Sequence, residues 1–202
     1  MAYTEASLLT QVRSILNEPS KQFFDDTEIT AWLKEAAIDI STKTMCVETS
    51  AAVTVTAGTL DATEPTDCLK VYAVYISNKG LMRIHPRQIA HITPTPSTIP
   101  QFYYHFAGKL GFYPIASTGL TATVLYSKLV DSVVNLPYEY QEYAIDYAVY
   151  RAKLKDGKYA QANHVLSKYL NSLIFHRQDL YEKGVDSKDM FKIPDYTVTS
   201  EK

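Results

Sequence analysis

The side chains best suited to metal binding or nucleophilic chemistry in this sequence are its histidines and cysteines. No two histidines stand at His-x3-His spacing and no His-Glu-x-x-His motif occurs, so no single helix face supplies a pair of metal ligands. Neither cysteine has a partner at metal-ligand spacing or a nucleophile motif around it. These patterns favour surface or capping histidines and buried structural cysteines. They leave open a metal or ligand site in which histidines distant in sequence converge. The residues are His85, His91 and His105 for that alternative site, His164 and His176 elsewhere, and Cys46 and Cys68.

Two further motifs resemble catalytic signatures only weakly. Gly108-Lys109-Leu110-Gly111 lacks the Gly-x4-Gly-Lys-Ser/Thr spacing that lets successive amides bind phosphate, so it favours a hairpin turn. Asp25 and Asp26 stand at a predicted helix start, where the helix dipole already accounts for acidic residues. The sequence therefore predicts no catalytic, cofactor-binding or metal-ligating residue, and it favours a protein that is not an enzyme.

Charge and hydrophobicity limit the partners of the chain. Its 202 residues include 20 Lys and Arg against 22 Asp and Glu, which leaves no basic excess for neutralising a phosphate backbone. Hydrophobic residues make up 46% of the chain, a composition typical of a compact domain. The first residues lack the basic and apolar segments of a signal peptide, and no apolar run has the length of a membrane span. We therefore expect synthesis in the cytoplasm and no membrane partner.

The elements that must position these side chains are helical at both ends of the chain. Residues 1–43 predict a helical hairpin, broken at Pro19 and resumed at the acidic capping cluster that begins at Asp25. Residues 137–184 predict a second helical pair, which begins at Pro137 and packs on the first. Each predicted helix carries a narrow apolar stripe and therefore needs a partner on that face.

The middle of the chain, residues 44–136, changes to β-branched runs separated by turn signals. Its proline-rich segment 85–100 predicts an irregular crossing, with a short helix near Arg87 as one option. The predicted fold class is α+β: a bundle of about four helices, interrupted by a small antiparallel β subdomain and followed by an extended C-terminal arm. The strands are predicted at 53–56, 69–76, 81–84, 101–106, 109–113 and 121–129.

Two sets of residues are candidates for protein–protein contact. One is a row of tyrosines at helical spacing in the helix that follows Pro137, where the hydroxyl groups suit a boundary between core and interface. An ordinary intramolecular core is the alternative for this row. The other is the predicted arm, residues 185–202, whose apolar side chains suit a segment that folds onto another subunit or a partner, with strand addition as one mode. The tyrosines are Tyr140, Tyr143, Tyr147 and Tyr150, and the arm residues are Met190, Phe191, Ile193, Pro194 and Tyr196.

The order of these parts resembles the head-to-tail adaptor (connector, or head-completion) proteins of tailed bacteriophages. The resemblance covers about residues 5 to 183 and is one of pattern and order. It is carried by Phe24-Asp25-Asp26-Thr27-Glu28-Ile29 followed by Trp32-Leu33, by Lys109-Leu110-Gly111-Phe112-Tyr113-Pro114, and by Leu136-Pro137-Tyr138-Glu139-Tyr140. An acidic residue is expected directly after the proline in that last motif, whereas this chain has Tyr138 there and Glu139 one position later.

The resemblance implies a structural protein of the virion with no catalytic residues. Such proteins form a ring, commonly of twelve subunits, under the portal protein, where they join head to tail and seat the tail or nozzle protein. The lumen of the ring continues the DNA channel, and the DNA passes without specific binding. The arm residues would then contact the portal or a neighbouring subunit. Two alternatives remain: a tail-completion or terminator protein on the tail side, and a small ligand-binding or hydrolytic domain.

Overall fold

The computed structural model describes residues 3–18, 23–89 and 99–184, with side chains as far as Phe175. Within these residues it has five α-helices, one 3-10 turn and two four-stranded sheets, which confirms the predicted α+β class. The helices are α1 (Glu5–Leu16), α2 (Asp26–Thr44), α3 (Pro86–Ile89), α4 (Tyr138–Lys155) and α5 (Tyr159–Gly184). The strands are β1 (Glu48–Val55), β2 (Asp61–Thr63), β3 (Cys68–Ile76), β4 (Lys79–Gly80), β5 (Met82–Arg83), β6 (Phe102–Phe106), β7 (Lys109–Tyr113) and β8 (Leu120–Lys128).

The four longer helices share one apolar core. The Thr4 side chain accepts from the Ser7 amide at the start of α1, and Asp25 accepts from the Asp26 amide at the start of α2, so both helices begin with a satisfied cap. The apolar stripes predicted for the N-terminal hairpin are the faces that α1 and α2 bury in this core. Helix α4, which carries the tyrosine row, also buries one face in it. Fully or nearly fully buried members of this core include Leu8, Val12, Ile29, Leu33, Ala36, Ile40, Tyr140, Ala144, Ala148, Tyr169 and Leu173.

The strands form a two-layered sandwich around a second apolar core. One sheet has the order β1-β8-β3-β4 and the other has the order β2-β7-β6-β5. Strands β1 and β2 lie at one side of the sandwich, and β4 and β5 lie at the opposite side. The buried members of this core include Val53, Val55, Val71, Val74, Ile76, Tyr103, Leu110, Phe112, Ala122 and Val124.

The sandwich departs from the predicted antiparallel subdomain in one pair of strands. Strands β5 and β6 pair in parallel, with Met82 opposite Phe102 and Arg83 opposite Tyr103. The prediction of purely antiparallel pairing was therefore wrong. Residues 84–101 lie between the two strands, and a connection of that length carries the chain back to the end from which β5 began.

Backbone hydrogen bonds fasten the sandwich to the helices where the chain passes between them. The Lys128 amide donates to the Val47 carbonyl at 2.7 Å, and the Leu129 amide donates to the Asp67 carbonyl at 2.8 Å. The fully buried Ser41 near the end of α2 accepts from the Val130 amide through its hydroxyl. Among the described helices, none has both the length and the apolar character needed to span a membrane.

Candidate interaction surfaces

Helix α4 carries the four tyrosines predicted as a subunit-contact face. Tyr140 is only 1% exposed, and burial raises the pKa of its phenol, whereas Tyr143, Tyr147 and Tyr150 are half-buried. The rings of Tyr140 and Tyr143 meet edge to face at 6.2 Å, and those of Tyr147 and Tyr150 do so at 5.8 Å. Much of this row therefore packs in the protein's own core, and its role as a subunit contact stays a prediction.

A fifth tyrosine, on α5, completes this aromatic cluster. The Tyr169 ring lies 5.5 Å from the Tyr147 ring, and its hydroxyl donates to the Asp39 carboxylate on α2 at 2.6 Å. Burial raises the pKa of the Tyr169 phenol, and the neighbouring carboxylate of Asp39 raises it further. The sequence alone does not identify this hydrogen bond, because the partner of Tyr169 lies 130 residues away.

Ion pairs add further contacts between α2 and α4. Lys155 Nζ lies 2.6 Å from the Glu28 carboxylate and also stands 5.5 Å from the centre of the Phe23 ring. Arg151 pairs with Glu35 at 3.3 Å. Glu28 was predicted as part of the capping cluster of α2, and the structure shows its side chain engaged by Lys155 instead.

The middle of α5 carries two exposed apolar side chains. Ile174 is 55% exposed and Phe175 is 70% exposed, next to Leu173, which is buried in the core. An open groove of about 360 Å³ separates this part of α5 from the end of α2. Exposed large apolar side chains at a groove are typical of protein–protein contact sites. The groove is lined by Thr42, Lys43, Thr44, Met45, Leu170, Leu173 and Ile174.

The outer face of the β1-β8-β3 sheet is a second candidate surface. Ser50, Ala52 and Thr54 on β1 stand beside Leu125, Thr123 and Thr121 on β8, each with a small or uncharged side chain. On β3 the exposed side chains of Tyr72 and Tyr75 continue this face. Two exposed charged residues, Glu48 and Lys70, lie at one end of it, so the uncharged part favours contact with another protein.

The far side of the sandwich is cationic. Lys79, Arg83 and Arg87 are exposed on or after β4 and β5, and none of the three forms an ion pair with another described residue. Arg83 and Arg87 face an open groove of about 960 Å³. The groove is lined by Arg83, Ile84, His85, Pro86, Arg87, His105 and Phe106.

Sequence reasoning missed this charge because the overall balance conceals it. Between Asp67 and Asp131 the sequence contains no Asp or Glu. A count by segment would have found the signal, whereas the net charge of −2 averages it with residues 1–67, which hold four basic and eleven acidic residues. The basic residues of this stretch are Lys70, Lys79, Arg83, Arg87, Lys109 and Lys128.

The histidines do not form a metal centre within the described residues. His85 and His105 line the same groove, but His85 Nδ1 accepts from the Arg87 amide and His105 Nε2 lies 2.5 Å from Glu64 Oε2. No group of three His, Cys, Asp or Glu side chains is close enough to hold a metal in the part of the chain that is described. His91, the third member of the alternative site, lies outside the described residues, as do Met190, Phe191, Ile193, Pro194 and Tyr196 of the predicted arm.

The two cysteines are free thiols, and both are half-buried. Burial raises the pKa of the Cys46 thiol. Burial, together with the carboxylates of Glu64 and Asp67, raises the pKa of the Cys68 thiol to about 11. A thiolate is the nucleophilic form of cysteine, so neither environment activates its sulfur for catalysis.

Alkylation with iodoacetamide tests this conclusion. At pH 8 we expect Cys68 in the folded chain to react roughly a hundredfold more slowly than in urea, because so little of it is thiolate. The rate of alkylation should rise about tenfold for each pH unit between 8 and 10. Mass spectrometry of the labelled peptide measures this rate. Folded Cys68 that reacts as fast as the unfolded control would contradict the buried, inert assignment.

Comparison with known protein families gives a match that spans all the described residues. The family model described as SU10 adaptor protein matches residues 3–184, which include both helical pairs and the sandwich. None of the curated proteins compared with the chain matches it. The family match confirms the predicted resemblance to phage head-to-tail adaptors at the level of an adaptor-type protein, and it indicates a bacteriophage structural component of the virion. Because the match extends over nearly all of the chain, this protein belongs to the SU10 adaptor protein family.

Proposed function

We propose that this adaptor is the connector of the head-to-tail junction. In this role twelve subunits form a ring that sits under the portal, joins head to tail and continues the DNA channel. The observation that carries the proposal is the family match over residues 3–184, since it covers every helix and strand described above. The function is structural, with no catalytic step.

Two surfaces support a role in assembly. Ile174 and Phe175 on α5 are exposed in the single chain, and so are the small uncharged side chains Ser50, Ala52 and Thr54 on the outer face of β1. Apolar and small uncharged surfaces of this kind are stabilised when a partner covers them. A subunit that contacts two neighbours and a portal needs several separate contact faces. The chain provides one on its helices and another on its sandwich.

The charge of the subunit suits a channel that DNA must traverse. A formal net charge of −2 per copy gives a ring that does not attract the duplex as a whole. Tight binding to the phosphate backbone would oppose movement of DNA through the lumen. The proposed lumen therefore passes DNA without holding it.

The test is light scattering on the purified chain, alone and mixed with the portal protein of the same genome. We expect a ring-sized complex that migrates with the portal, whether or not the free chain is a monomer. A chain that ends at Gly184 should bind less portal and should fail to support tail joining, because the predicted arm is removed. The full-length chain is the matched control.

Two outcomes would contradict the proposal. If the chain does not bind the portal but binds the tail tube, the tail-completion alternative is correct. A chain that binds neither would remove the connector function altogether. If the chain ending at Gly184 joins tails normally, the contribution of the arm is wrong and the rest of the proposal stands.

A further inference from the structure

Strand β1 has a row of backbone groups that point away from its sheet. It is a terminal strand among the described residues and pairs only with β8. The Lys128 amide donates to the Val47 carbonyl opposite it, so the odd-numbered residues of this antiparallel ladder bond to β8. The backbone groups of Ser50, Ala52 and Thr54 therefore point to the free edge. No other described residue pairs with them there.

The free edge of β1 lacks the features that usually protect one. After Glu48 the strand carries no charged side chain and no proline, and its register with β8 continues to Val55 without a bulge. Exposed edges are usually blocked by such features, because their unpaired backbone groups bind a further strand. An open groove of about 450 Å³ runs along this edge, between residues 51–54 and residues 61–64. The edge therefore has both the backbone groups and the space for one more strand.

The predicted arm contains a segment with the composition of such a strand. Residues 195–200 read Asp-Tyr-Thr-Val-Thr-Ser, in which β-branched and aromatic residues predominate. The apolar side chains of Tyr196 and Val198 alternate with Thr197 and Thr199. Alternation of this kind is typical of a strand with one face on a core and the other face exposed.

The two faces of β1 match this alternation. Val53 is buried in the core of the sandwich, whereas Thr54 is exposed on the outer face. Ala51 is also on the core side, but it is small and half-buried at the groove. A strand added here can place Tyr196 and Val198 over this part of the core, with its threonines beside Thr54. Threonine pairs across neighbouring strands stabilise a sheet.

Helix α5 brings the end of the described chain towards the sandwich. Ile174 lines one groove together with Thr44 at the end of α2, and β1 begins soon afterwards at Glu48. From Ile174, α5 continues as far as Gly184, a further distance of about 15 Å. The ten residues that precede position 195 can span at most about 33–36 Å when extended. The arm therefore reaches a β1 edge that lies close to the end of α5.

The exposed side chains of α5 favour a neighbouring copy as the owner of that edge. Ile174 is 55% exposed and Phe175 is 70% exposed, in the part of α5 that lies level with the end of α2. Exposed apolar side chains of this size are typical of protein–protein contacts. A second copy that covers them brings its own sandwich within reach of the arm.

We propose that residues 195–200 of one copy add as a strand to the free edge of β1 in a neighbouring copy. The inference rests on the proposed ring and names one of its contacts. Main-chain hydrogen bonds to Ser50, Ala52 and Thr54 supply affinity, and the alternating side chains supply specificity. Each copy gives one arm and accepts another, so the contact is heterologous and closes into a ring where the rotation between copies allows it.

The first test places a proline on the free edge. Ala52→Pro removes one amide donor and blocks the approach of the arm, but it leaves the bonds to β8 because the Ala52 amide points away from them. We expect the apparent Kd for assembly on the portal to rise at least about tenfold, with the bound copies counted by light scattering. Ala52→Thr keeps the amide and is the matched control, which should assemble as the wild-type chain does. Circular dichroism checks that both variants are folded.

The second test identifies the two chains in contact and does not depend on the proline variant. One full-length chain carries Ala52→Cys and another carries Thr197→Cys, and the two are mixed with the portal and treated with a short bismaleimide. We expect a covalent link between position 52 of one chain and position 197 of the other, identified by mass spectrometry. The wild-type chain is the control for Cys46 and Cys68, which are half-buried.

Two linking patterns would contradict the proposal. A chain with both substitutions that links only within itself, when the mixture gives no link, would show that the arm covers its own edge. If the Ala52→Cys chain links to another copy of itself, the occupant of the edge is β1 of a second copy.

The remaining outcomes separate this inference from the proposed function. Normal rings formed by the Ala52→Pro chain, with no link between positions 52 and 197, would overturn the strand pairing and leave the connector function intact. A link from position 197 to the portal alone would do the same, since the arm would then contact the portal. A wild-type chain that stays monomeric alone and beside the portal would overturn both.

Discussion

Replacing Arg13 with methionine should lower the free energy of unfolding by roughly 3 kcal/mol. Arg13 is only 6% exposed, yet it carries a full charge between α1 and α2. Its guanidinium donates to Asp26 from two nitrogens, at 2.8 and 2.5 Å, and to the Phe24 carbonyl at 2.9 Å. Methionine fills part of the space but supplies no donor to the Phe24 carbonyl and no charge opposite Asp26, whose side chain is 33% exposed.

The same guanidinium also belongs to a network that includes Glu18 after α1 and Phe23 and Phe24 before α2. It donates to the Glu18 carbonyl at 3.3 Å, and the Glu18 carboxylate in turn accepts from the amides of Phe23 and Phe24. Loss of Arg13 therefore affects the entry to α2 as well as one ion pair. Lysine at position 13 should recover only part of the stability, because an ammonium group cannot donate in the same forked geometry.

Thermal unfolding measured by circular dichroism checks this prediction. A loss of this size corresponds to a fall in Tm of roughly 6–12 °C for a chain of this length. The control is Lys34→Met, which removes an exposed cation from α2 and should change the free energy of unfolding by no more than about 0.5 kcal/mol. An Arg13→Met chain as stable as this control would show that the buried network adds nothing to stability.

The second large effect is expected at Gly111 in β7. A Cβ atom placed there would lie 1.9 Å from the Tyr104 ring, which covers the glycine from the neighbouring strand. Tyr104 is 8% exposed and donates to Asp61, and burial with that carboxylate raises the pKa of its phenol. Gly111→Ala must displace the ring, so it should cost roughly 2 kcal/mol of unfolding free energy.

A double-mutant cycle separates this clash from a general strand effect. In a Tyr104→Ala background, Gly111→Ala should be nearly neutral, because the ring that it displaces is already absent. Gly119→Ala is the matched single control, since no atom lies within 4 Å of the Cβ built there. Urea unfolding gives all four free energies. Equal costs of Gly111→Ala in both backgrounds would sink the explanation.

Much of the fold follows from local sequence signals. The apolar stripe that includes Ile29 and Trp32 has helical period, and α2 forms there with Asp25 as its cap. The runs at 69–76 and 109–113 became β3 and β7 with nearly the predicted bounds. These elements are long enough, or regular enough, for period and turn chemistry to determine them.

The missed features depend on contacts between distant segments. Strand β2 has three residues, Asp61–Thr63, too few to show alternation, and it exists because β7 pairs with it. The parallel pairing of β5 with β6 joins residues twenty positions apart, Met82 with Phe102, which local propensity does not specify. The bond from Tyr169 to Asp39 joins helices at opposite ends of the chain, so spacing alone cannot predict it.

The candidate interaction surfaces also include features that local sequence signals predict and features that they do not. Tyrosine spacing predicted a boundary between core and interface on α4, with an ordinary core as the alternative; Tyr140 is buried in the core, and the interface stays a prediction. The cationic side of the sandwich carries Lys79, Arg83 and Arg87 on β4, β5 and α3, so a count of charge by segment could have found it although the net charge did not. An average over the whole sequence could not reveal a charge that the fold separates in space.

The contacts that complete the helical core impose an order on biosynthesis. Lys155 meets Glu28 across 127 residues, Tyr169 meets Asp39 across 130, and the Tyr3 amide meets Gln141 across 138. At about 5–20 residues per second, a ribosome adds the intervening chain in on the order of ten seconds. During that interval the nascent α1 and α2 have an apolar stripe with no permanent partner, which makes them a binding site for chaperones. The sandwich, whose strands are all encoded between them, is able to fold first.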